Sequence, residues 1–259
     1  MFPHYNGAYA QDPFDRGEAM TDGRRVAVTG AASGIGAATA RRLMVDGWRV
    51  ACLDRDIAGA RATAGDRGVA LEVDVADEAA TTRVFAQLGE TWGGLDALVT
   101  AAGVIETVPF LDTTPAQFRR LFDINVIGSF LTVREASKLM AAGSRICMVA
   151  SISSYTGGGY VATGAYATSK GAVLTMMKSC ARALGDKGIA VNAVAPGFID
   201  TPFVASAMTD PVRRQEVVKA VGKVGTAEQI AECAAWLVSP AASFVHGATL
   251  IADGGVLMR

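Results

Sequence analysis

The stretch RVAVTGAASGIG, residues Arg25–Gly36, joins a short β-branched run to three closely spaced glycines. Arg25–Thr29 predicts a buried β-strand, and the residues from Ile35 onward have the period of a helix. Glycines between a strand and a helix allow a sharp turn, and the helix N-terminus offers free N–H groups and a positive dipole end to a pyrophosphate. A phosphate-binding turn is therefore the main hypothesis, and a purely structural turn is the alternative.

The spacing within this turn is G-x-x-x-G-x-G, not G-x-G-x-x-G, and no Lys-Ser/Thr pair follows it, so an ATP-type P-loop is excluded. The next predicted strand ends in Asp54, 18 residues after Gly36. A carboxylate there can accept hydrogen bonds from a ribose diol and repels a 2′-phosphate, which favours NAD, although Arg55 beside it weakens the preference. A solvated charge at a strand end is the alternative for Asp54.

Short β-branched runs alternate with segments of helical period along the rest of the chain. The predicted strands are Arg25–Thr29, Arg49–Asp54, Val69–Val73, Leu95–Thr100, Arg145–Ala150, Ile189–Ala195 and Ala248–Ala252. The predicted helices are Ile35–Asp46, Ile57–Asp66, Asp77–Glu90, Pro115–Ala141, Tyr166–Gly185 and Ala227–Leu237. Because the strands are apolar throughout, we expect an α/β fold with a parallel sheet covered by helices on both faces.

One domain is predicted for residues 23–259, since neither a linker nor an internal repeat divides them. Residues 1–22 carry aromatic residues without a helix or strand period, which predicts a loosely ordered N-terminal arm, with docking on a neighbouring surface as the alternative. The segment Gly197–Gly225 breaks the alternation with Pro202 and Pro211 and is predicted to be a mobile insertion or lid.

Composition and charge limit the function classes. The chain has 259 residues, is 51% hydrophobic and 19% charged, and has a net charge of -1, which gives no basic footprint for nucleic acid or an anionic membrane. Four cysteines without a C-x-x-C pair and two distant histidines predict buried reduced thiols and no metal site. We expect a cytoplasmic protein with no secretory signal and no membrane span.

Tyr166 and Lys170 provide the strongest chemical signal, because a spacing of four residues places both side chains on one face of a helix. A phenol ionises near pH ~10, and a nearby ammonium is expected to lower that pKa so that the hydroxyl can exchange a proton with an alcohol or carbonyl oxygen. An ordinary helix that happens to carry this pair is the alternative.

Two further positions add to this signal. Ser151 and Ser153 follow a predicted strand, where a hydroxyl can hold a substrate oxygen beside Tyr166. Asn125 lies inside a predicted helix, where Asn is unfavourable, so it either holds a water that links Lys170 to solvent or marks a local helix distortion. Asp74, which ends the third strand before Val75, could contact an adenine or cap the following helix.

In combination, these features resemble the short-chain dehydrogenase/reductase family over residues 23–257. The residues that carry the resemblance are Thr29-Gly30, Gly34-Ile35-Gly36, Asp74-Val75, Ala102-Gly103, Asn125, the serines of Ser151–Ser154, Tyr166, Lys170, Pro196-Gly197 and Asp253-Gly254-Gly255. The resemblance implies a doubly wound Rossmann-type fold with seven parallel strands and an NAD(P)-dependent interconversion of alcohol and carbonyl.

Roles follow from the resemblance position by position. It makes Tyr166 the general acid/base, Lys170 the residue that lowers its pKa and binds the nicotinamide ribose, and Asn125 the residue that positions a relay water. The residues assigned to the cofactor are Gly30, Ser33, Gly34, Ile35, Gly36, Asp54, Arg55, Asp74, Val75, Ala102, Gly103, Tyr166, Lys170, Pro196, Gly197, Ile199 and Thr201.

The chain departs from the family pattern at two places. Ala101-Ala102-Gly103 stands where the family commonly has Asn-Ala-Gly, and Ala101 is expected to affect stability rather than chemistry. The serine position is ambiguous, since counting back ~13 residues from Tyr166 reaches Ser153, whereas counting along the strand from Arg145 reaches Ser151. We favour Ser151, because strand ends fix geometry and glycine-rich loops absorb length changes.

The sequence therefore predicts an NAD-dependent alcohol dehydrogenase or carbonyl reductase for a small apolar, alicyclic or aromatic secondary alcohol. The alternatives are an NADPH-dependent 3-oxoacyl reductase and, more remotely, a non-catalytic dinucleotide-binding regulator. The resemblance also implies a homotetramer that forms through the helices Pro115–Ala141 and Tyr166–Gly185 and through the C-terminal edge, where Leu257-Met258-Arg259 would end close to a neighbouring subunit.

Overall fold

The computed structural model describes residues 23–159, 163–207 and 210–258. The strands in these ranges are β1 (Arg25–Thr29), β2 (Arg49–Asp54), β3 (Gly68–Glu72), β4 (Leu95–Thr100), β5 (Met140–Val149), β6 (Ala190–Pro196), β7 (Ile199–Asp200), β8 (Gly225–Thr226) and β9 (Thr249–Ala252). The α-helices are α1 (Gly34–Val45), α2 (Ile57–Ala64), α3 (Glu78–Trp92), α4 (Pro115–Phe122), α5 (Gly128–Ser137), α6 (Ser153–Thr156), α7 (Gly164–Gly185), α8 (Pro202–Ala207), α9 (Pro211–Val221) and α10 (Ala227–Val238).

Seven strands pair in parallel in the order β3-β2-β1-β4-β5-β6-β9, which confirms the predicted doubly wound, seven-stranded sheet. The strand order reverses between β1 and β4, and the crevice outside the carboxyl ends of the strands at such a point is where ligands bind in open α/β sheets. β7 and β8 form a separate parallel pair close to that edge.

Helices cover both faces of the sheet, as the apolar strands predicted. Val26 and Val28 point into one core with Leu43 of α1 and Ile230 of α10. Ala27, between them, points into the opposite core, whose other members include Phe85 of α3, Val133 of α5 and Met177 of α7. Successive residues of a strand face opposite sides, so a strand buried on both sides must be apolar at every position. In the described ranges, no helix combines the length and the apolar character needed to cross a bilayer.

The helix predicted over Pro115–Ala141 is wrong in two respects. It is divided by a π-helical turn at Asp123–Ile127, and α5 ends at Ser137, after which β5 begins at Met140 instead of the predicted Arg145. The Gly128 N–H donates to the Asp123 carbonyl five residues back, which is the hydrogen bond of a π-helix instead of the four-residue bond of an α-helix.

The insertion predicted over Gly197–Gly225 has regular structure. It contains the strands β7 and β8 with the helices α8 and α9 between them. The predicted N-terminal arm, residues 1–22, lies outside the described residues. The four cysteines are free, and Cys52 and Cys147 are buried.

Candidate active site

The glycine turn between β1 and α1 is packed backbone against backbone. Gly30 has a φ of +70°, and a Cβ there would lie 2.6 Å from the Ala102 nitrogen. A Cβ on Gly36 would lie 2.1 Å from the Gly30 carbonyl oxygen. Both positions therefore require glycine for close approach. The turn places the first residues of α1 at the carboxyl edge of the sheet, where their unpaired N–H groups can bind an anion.

Asp54 is fixed against this turn by two backbone donors. The Ala32 N–H donates to Asp54 Oδ2 (3.0 Å), and the Asp56 N–H donates to Oδ1 (3.0 Å). The carboxylate at the end of β2 therefore lies beside the candidate phosphate site, where a ribose diol bound along the turn would meet it. A solvated strand-end charge does not describe this geometry.

Asp74 accepts a hydrogen bond from the Ala76 N–H (3.0 Å), whereas Asp77 caps α3 by accepting from Ala80 (3.0 Å). Asp74 is therefore not the helix cap, which was one of its two sequence interpretations. Val75 is 7% exposed, and a Cβ added to Gly128 would lie 2.6 Å from Val75 Cγ2. Asp74 and Val75 thus lie at the edge of the cavity, and Val75 is packed tightly against Gly128.

A cavity of about 470 Å³ runs along the carboxyl ends of the strands, a size typical of cofactor and small-molecule sites. Every residue assigned to the cofactor from the sequence lines it. Ser151, Ser153, Tyr166 and Lys170 line it as well, and Asn125 lies behind the wall with no exposed surface. The sequence predicts a small or apolar substrate wall at Ile105, Gly157–Gly159, Val161 and Phe203–Met208. Of these residues, Ile105, Gly158, Gly159, Phe203 and Val204 line the cavity, whereas Gly157 and Ala205 do not, and Val161 and Met208 lie outside the described residues.

Sequence reasoning missed several residues of the wall. They are Ala32, Leu53, Asp56, Val73, Ala101, Val104, Ile124, Val149, Ala150, Ile152, Thr156, Phe198 and Val256. Most are neighbours of predicted residues at strand ends and could have been found by extending each motif by one position. Val256 follows the motif Asp253-Gly254-Gly255 by one position, so the same extension reaches it, although that motif was given no role in the site.

Tyr166 and Lys170 lie one turn apart on α7, and both are buried, with 6% and 5% exposed. The side chains of Ser151 and Tyr166 are hydrogen-bonded. Lys170 Nζ donates to the Val149 carbonyl (2.9 Å) and lies 5.9 Å from the centroid of the Tyr166 ring. The end of β5 therefore holds both partners, since Val149 is its last residue and Ser151 lies two residues further along the chain.

The geometry separates the two candidate serines. Ser151 Oγ bonds to Tyr166 and also accepts the backbone N–H of Ser153 (3.1 Å). Ser153 begins α6, and its main chain thereby orients Ser151. The contact with Tyr166 thus belongs to Ser151, the serine reached by counting along the strand.

Asn125 joins the loop after β4 to α7. Its Oδ1 accepts the Val104 N–H (2.8 Å), and its Nδ2 donates to the Val104 carbonyl (3.0 Å) and to Ser169 Oγ (2.9 Å). A Cβ on Gly103 would lie 3.1 Å from Asn125 Oδ1 and 3.5 Å from Lys170 Nζ. The helix distortion expected at Asn125 is therefore present, and the role of Asn125 in holding a water beside Lys170 stays a prediction.

Burial controls the ionisation of the central pair. It raises the pKa of Tyr166 above its ordinary value, an effect that the hydrogen bond with Ser151 opposes, and it lowers the pKa of Lys170 to about 8. The expectation that the ammonium lowers the Tyr166 pKa is wrong for this structure, because loss of solvation is the larger effect. At neutral pH the phenol is therefore un-ionised and able to donate a hydrogen bond.

The low pKa of Lys170 predicts a pH-dependent stability. Between pH 8 and its ordinary value of 10.5, the unfolded chain binds a proton at this residue that the folded chain does not, so folding stability gains with rising pH. We expect the unfolding free energy of the wild type minus that of Lys170→Met to rise by up to about 3 kcal/mol across this window. Urea unfolding at several pH values measures it.

Lys178→Met is the control for that experiment, since Lys178 is an exposed lysine on the same helix. Its difference from the wild type should not reproduce the rise. A flat or falling difference for Lys170→Met would show that the Lys170 amine is solvated in the folded chain.

Comparison with known proteins shows where this architecture recurs. The family model described as Enoyl-(Acyl carrier protein) reductase matches residues 30–257. Cis-4-hydroxycyclohexanecarboxylate dehydrogenase from Sinomonas cyclohexanicum is 38% identical over 246 residues, which cover 92% of this chain and 98% of that protein. The 3-oxoacyl-[acyl-carrier-protein] reductase MabA from Mycobacterium bovis is 35% identical over 238 residues, with 91% and 93% coverage.

A solved structure described as a short-chain dehydrogenase/reductase, glucose/ribitol dehydrogenase, from Brucella melitensis has a TM-score of 0.84 and 31% identity to this chain. The match covers 91% of this chain and 97% of that one. The similarities therefore span the cavity from the glycine turn to the end of the sheet.

Proposed function

Because the chain belongs to the short-chain dehydrogenase/reductase family and is an NAD(P)-dependent enzyme that acts on CH–OH groups, we propose that it is an NAD-dependent oxidoreductase that interconverts a secondary alcohol and its ketone. The observation that carries the proposal is the hydrogen bond between Ser151 and Tyr166 in the wall of a cavity that also contains the glycine turn and Asp54. The site thus combines two hydroxyl groups that can hold and transfer a proton with a glycine turn that can bind a dinucleotide.

The residues of the cavity fit a dinucleotide. Gly30 and Gly36 occupy positions that a Cβ would block, which leaves room for backbone to approach a pyrophosphate at the start of α1. Asp54 faces the position of the adenosine ribose, and Lys170 and Thr201 stand at the opposite, nicotinamide end. When bound, the nicotinamide accepts or returns the hydride.

The protein supplies orientation and proton transfer. In oxidation, Ser151 Oγ and Tyr166 Oη hold the substrate oxygen. Tyr166 first releases its own proton to solvent, and the phenolate then takes the hydroxyl proton of the substrate and becomes the phenol as the hydride leaves the carbon. In reduction, the un-ionised phenol returns that proton to the forming alkoxide. Lys170 lies one turn further along α7, with its Nζ 5.9 Å from the centroid of the Tyr166 ring, so its ammonium stabilises the phenolate that oxidation requires and that reduction leaves behind.

The preference for NAD rests on Asp54. Its carboxylate is held by Ala32 and Asp56, and a 2′-phosphate at the ribose would meet this negative charge in a partly buried site. Arg55 also lines the cavity, so the discrimination is finite. NAD as cofactor accords with oxidation as the favoured direction.

An apolar secondary alcohol with an alicyclic or aromatic body fits the wall around Tyr166. Ile105 and Phe203 pack in one cluster with Tyr166, and the Phe203 ring centroid lies 6.2 Å from that of Tyr166. The Sinomonas relative is named for a hydroxylated cyclohexane ring, which agrees with a substrate of this class.

A second candidate function is the NADPH-dependent reduction of a 3-oxoacyl group. The position of Arg55 in the cavity wall, next to Asp54, favours it, because a guanidinium can bind a 2′-phosphate. The description of the matching family model and the Mycobacterium bovis relative point the same way. A non-catalytic regulator is the remote alternative, and the assembled Ser151, Tyr166 and Lys170 argue against it.

Cofactor titration tests the proposal. We expect NADH to bind more tightly than NADPH to the wild type, and Asp54→Asn to shift the ratio of the two Kd values by about a hundredfold toward NADPH, or about 2.7 kcal/mol. Nicotinamide fluorescence measures both Kd values. Asp66→Asn, at an exposed turn after α2, is the control for lost charge. A wild type that prefers NADPH would support the 3-oxoacyl alternative.

Two further proposals concern the assembly and the compartment. We propose a homotetramer, because two apolar residues are exposed around the start of α5. Ile127, just before α5, is 45% exposed, and Phe130, within it, is 44% exposed. Both residues lie in the predicted helix Pro115–Ala141, one of the two that the resemblance assigns to subunit contacts.

The free thiols of Cys52, Cys147, Cys180 and Cys233 accord with a reducing, cytoplasmic setting.

A further inference from the structure

The chain beyond β9 folds back onto the cavity. Val256 lines the cavity wall, although it follows the last strand and belongs to no motif that the proposed function uses. Its side chain is 41% exposed, which is consistent with a wall that a bound molecule would cover. The position of Val256 therefore raises the question of which part of the substrate it faces.

Asp253 holds this segment in place. Its Oδ1 accepts the Gly255 N–H (2.8 Å) and its Oδ2 accepts the Leu257 N–H (2.6 Å), and only 9% of the residue is exposed. Gly254 and Gly255 have φ values of +70° and +90°, which a residue with a side chain rarely adopts. The segment Gly254–Leu257, which we call the C-terminal clasp, is thus folded by one buried carboxylate and two glycines.

The two residues that precede the clasp, Ala252 and Asp253, contact the chain that follows β6. A Cβ on Gly197 would lie 2.7 Å from Asp253 Cα, and the Gly197 N–H donates to the Ala252 carbonyl (3.1 Å). On the other side, the Ile152 N–H donates to the Pro196 carbonyl (3.0 Å). The clasp is therefore connected through the residues after β6 to the residue next to Ser151.

The strand order fixes which end of the cavity the clasp occupies. Adjacent strands lie about 4.8 Å apart, so β9 is about 10 Å from β5, which leads to Ser151, and about 24 Å from β2, which ends in Asp54. Val256 therefore stands on the catalytic side, away from the ribose and pyrophosphate positions. We therefore expect Val256 to contact the body of the substrate and not the adenosine half of the cofactor.

The charges of the wall agree with this placement. Among the described lining residues, four of the five charged ones are Asp54, Arg55, Asp56 and Asp74, all after β2 or β3. The fifth is Lys170, and the remaining wall on the catalytic side is apolar or hydroxylic. The clasp thus lies at the end of the cavity where the lining is mostly uncharged, which favours a substrate with an uncharged, apolar body.

We infer that the C-terminal clasp forms the outer wall of the substrate pocket and that Val256 limits the size of the alcohol accepted there, with Asp253 as its positioning residue. This inference rests on the proposed alcohol dehydrogenase function and adds the determinant of substrate size. A larger side chain at residue 256 then excludes bulky substituents, and a smaller one admits them.

The test compares Val256→Phe, Val256→Ala and the wild type with cyclohexanol and 4-tert-butylcyclohexanol. For Val256→Phe, we expect the ratio of kcat/KM for the large alcohol to that for the small one to fall about tenfold or more, mainly through KM, as one to a few methylene groups in an apolar pocket produce. Val256→Ala should raise the ratio. The Kd for NADH should stay unchanged in both variants.

Val45→Phe is the matched control, because Val45 is 68% exposed at the end of α1 and does not line the cavity. An unchanged ratio in both Val256 variants, as in the control, overturns the inference. A changed Kd for NADH with an unchanged ratio also overturns it, since Val256 would then contact the cofactor.

A binding measurement separates this inference from the proposed function. Thermal shifts of the NAD complex by cyclohexanone and 4-tert-butylcyclohexanone report pocket size without turnover, because the oxidised cofactor has no hydride to transfer to a ketone. If the wild type oxidises neither alcohol, the proposed function fails, but size-dependent binding that Val256→Phe abolishes for the larger ketone still supports the clasp. Binding of both ketones that no Val256 variant alters overturns it.

Discussion

Replacing Tyr166 with Phe is expected to lower kcat for alcohol oxidation about a thousandfold or more, within the range that general acid/base groups contribute. The phenylalanine ring fills the same buried space beside Phe203, so the fold and the cavity remain. Only the hydroxyl that bonds to Ser151 is lost. We therefore expect the Kd for NADH to change by less than about threefold and the unfolding free energy by about 1–2 kcal/mol.

Tyr155→Phe is the control for the loss of a tyrosine hydroxyl near the site. Tyr155 lies on α6 and packs against the core beneath the cavity, outside the group that the proposal makes catalytic. Its turnover should stay close to that of the wild type. If Tyr166→Phe retained more than about a tenth of the activity, another group would have to move the proton, and the proposed role of Tyr166 would be wrong.

The sequence was sufficient to predict the sheet and the glycine turn that lines the cavity, for a physical reason. Both depend on short-range patterns, because apolar strands and the glycines that follow them are local requirements of buried backbone. Gly30 and Gly36 show this, since each lacks a Cβ that would collide with another part of the main chain. Any residue type with a side chain would be incompatible with the turn.

The π-helical turn around Asn125 could not be predicted in the same way. The hydrophobic period of residues 115–137 continues through the turn, and the cause of the distortion is non-local. Asn125 takes its partners from Val104, 21 residues away, and from Ser169, 44 residues away. An asparagine in a helix interior indicated that something was unusual, but only the tertiary contacts show what it binds.

The pKa of Tyr166 also differs from the expectation, because it is raised and not lowered. The spacing of Tyr166 and Lys170 correctly placed them on one helix face, and opposite charge alone would lower the phenol pKa. The sequence does not report how completely both groups are buried, and burial reverses the direction for Tyr166. The same burial lowers the pKa of Lys170 to about 8, which brings its proton within reach of neutral pH.

Val256 was missed for a further reason. Its place in the wall depends on Asp253, whose carboxylate binds two N–H groups two and four residues ahead. The resemblance included Asp253-Gly254-Gly255 but assigned no role to the residues that follow this motif. Chain ends that return to a site are visible only once the neighbouring strand β6 is known to be paired with β9.

The second large effect is expected at Ser151, where alanine should lower kcat about a hundredfold, whereas Ser153→Ala should stay within about threefold of the wild type. Ser151 Oγ is the group that bonds to Tyr166, so its removal takes away one of two hydroxyls that hold the substrate oxygen. Ser153 contributes its backbone N–H (3.1 Å to Ser151 Oγ), which alanine retains.

The Ser151 and Ser153 pair also offers its own control, because both variants remove one hydroxyl from the same cavity wall, two residues apart. Steady-state kinetics with a fixed, saturating NAD concentration measures kcat for each. Ser151→Thr keeps a hydroxyl at the position and should recover part of the lost rate, which a purely structural defect would not do. A larger loss in Ser153→Ala than in Ser151→Ala would instead favour the count of ~13 residues back from Tyr166, with Ser151 then serving to cap the turn that precedes α6.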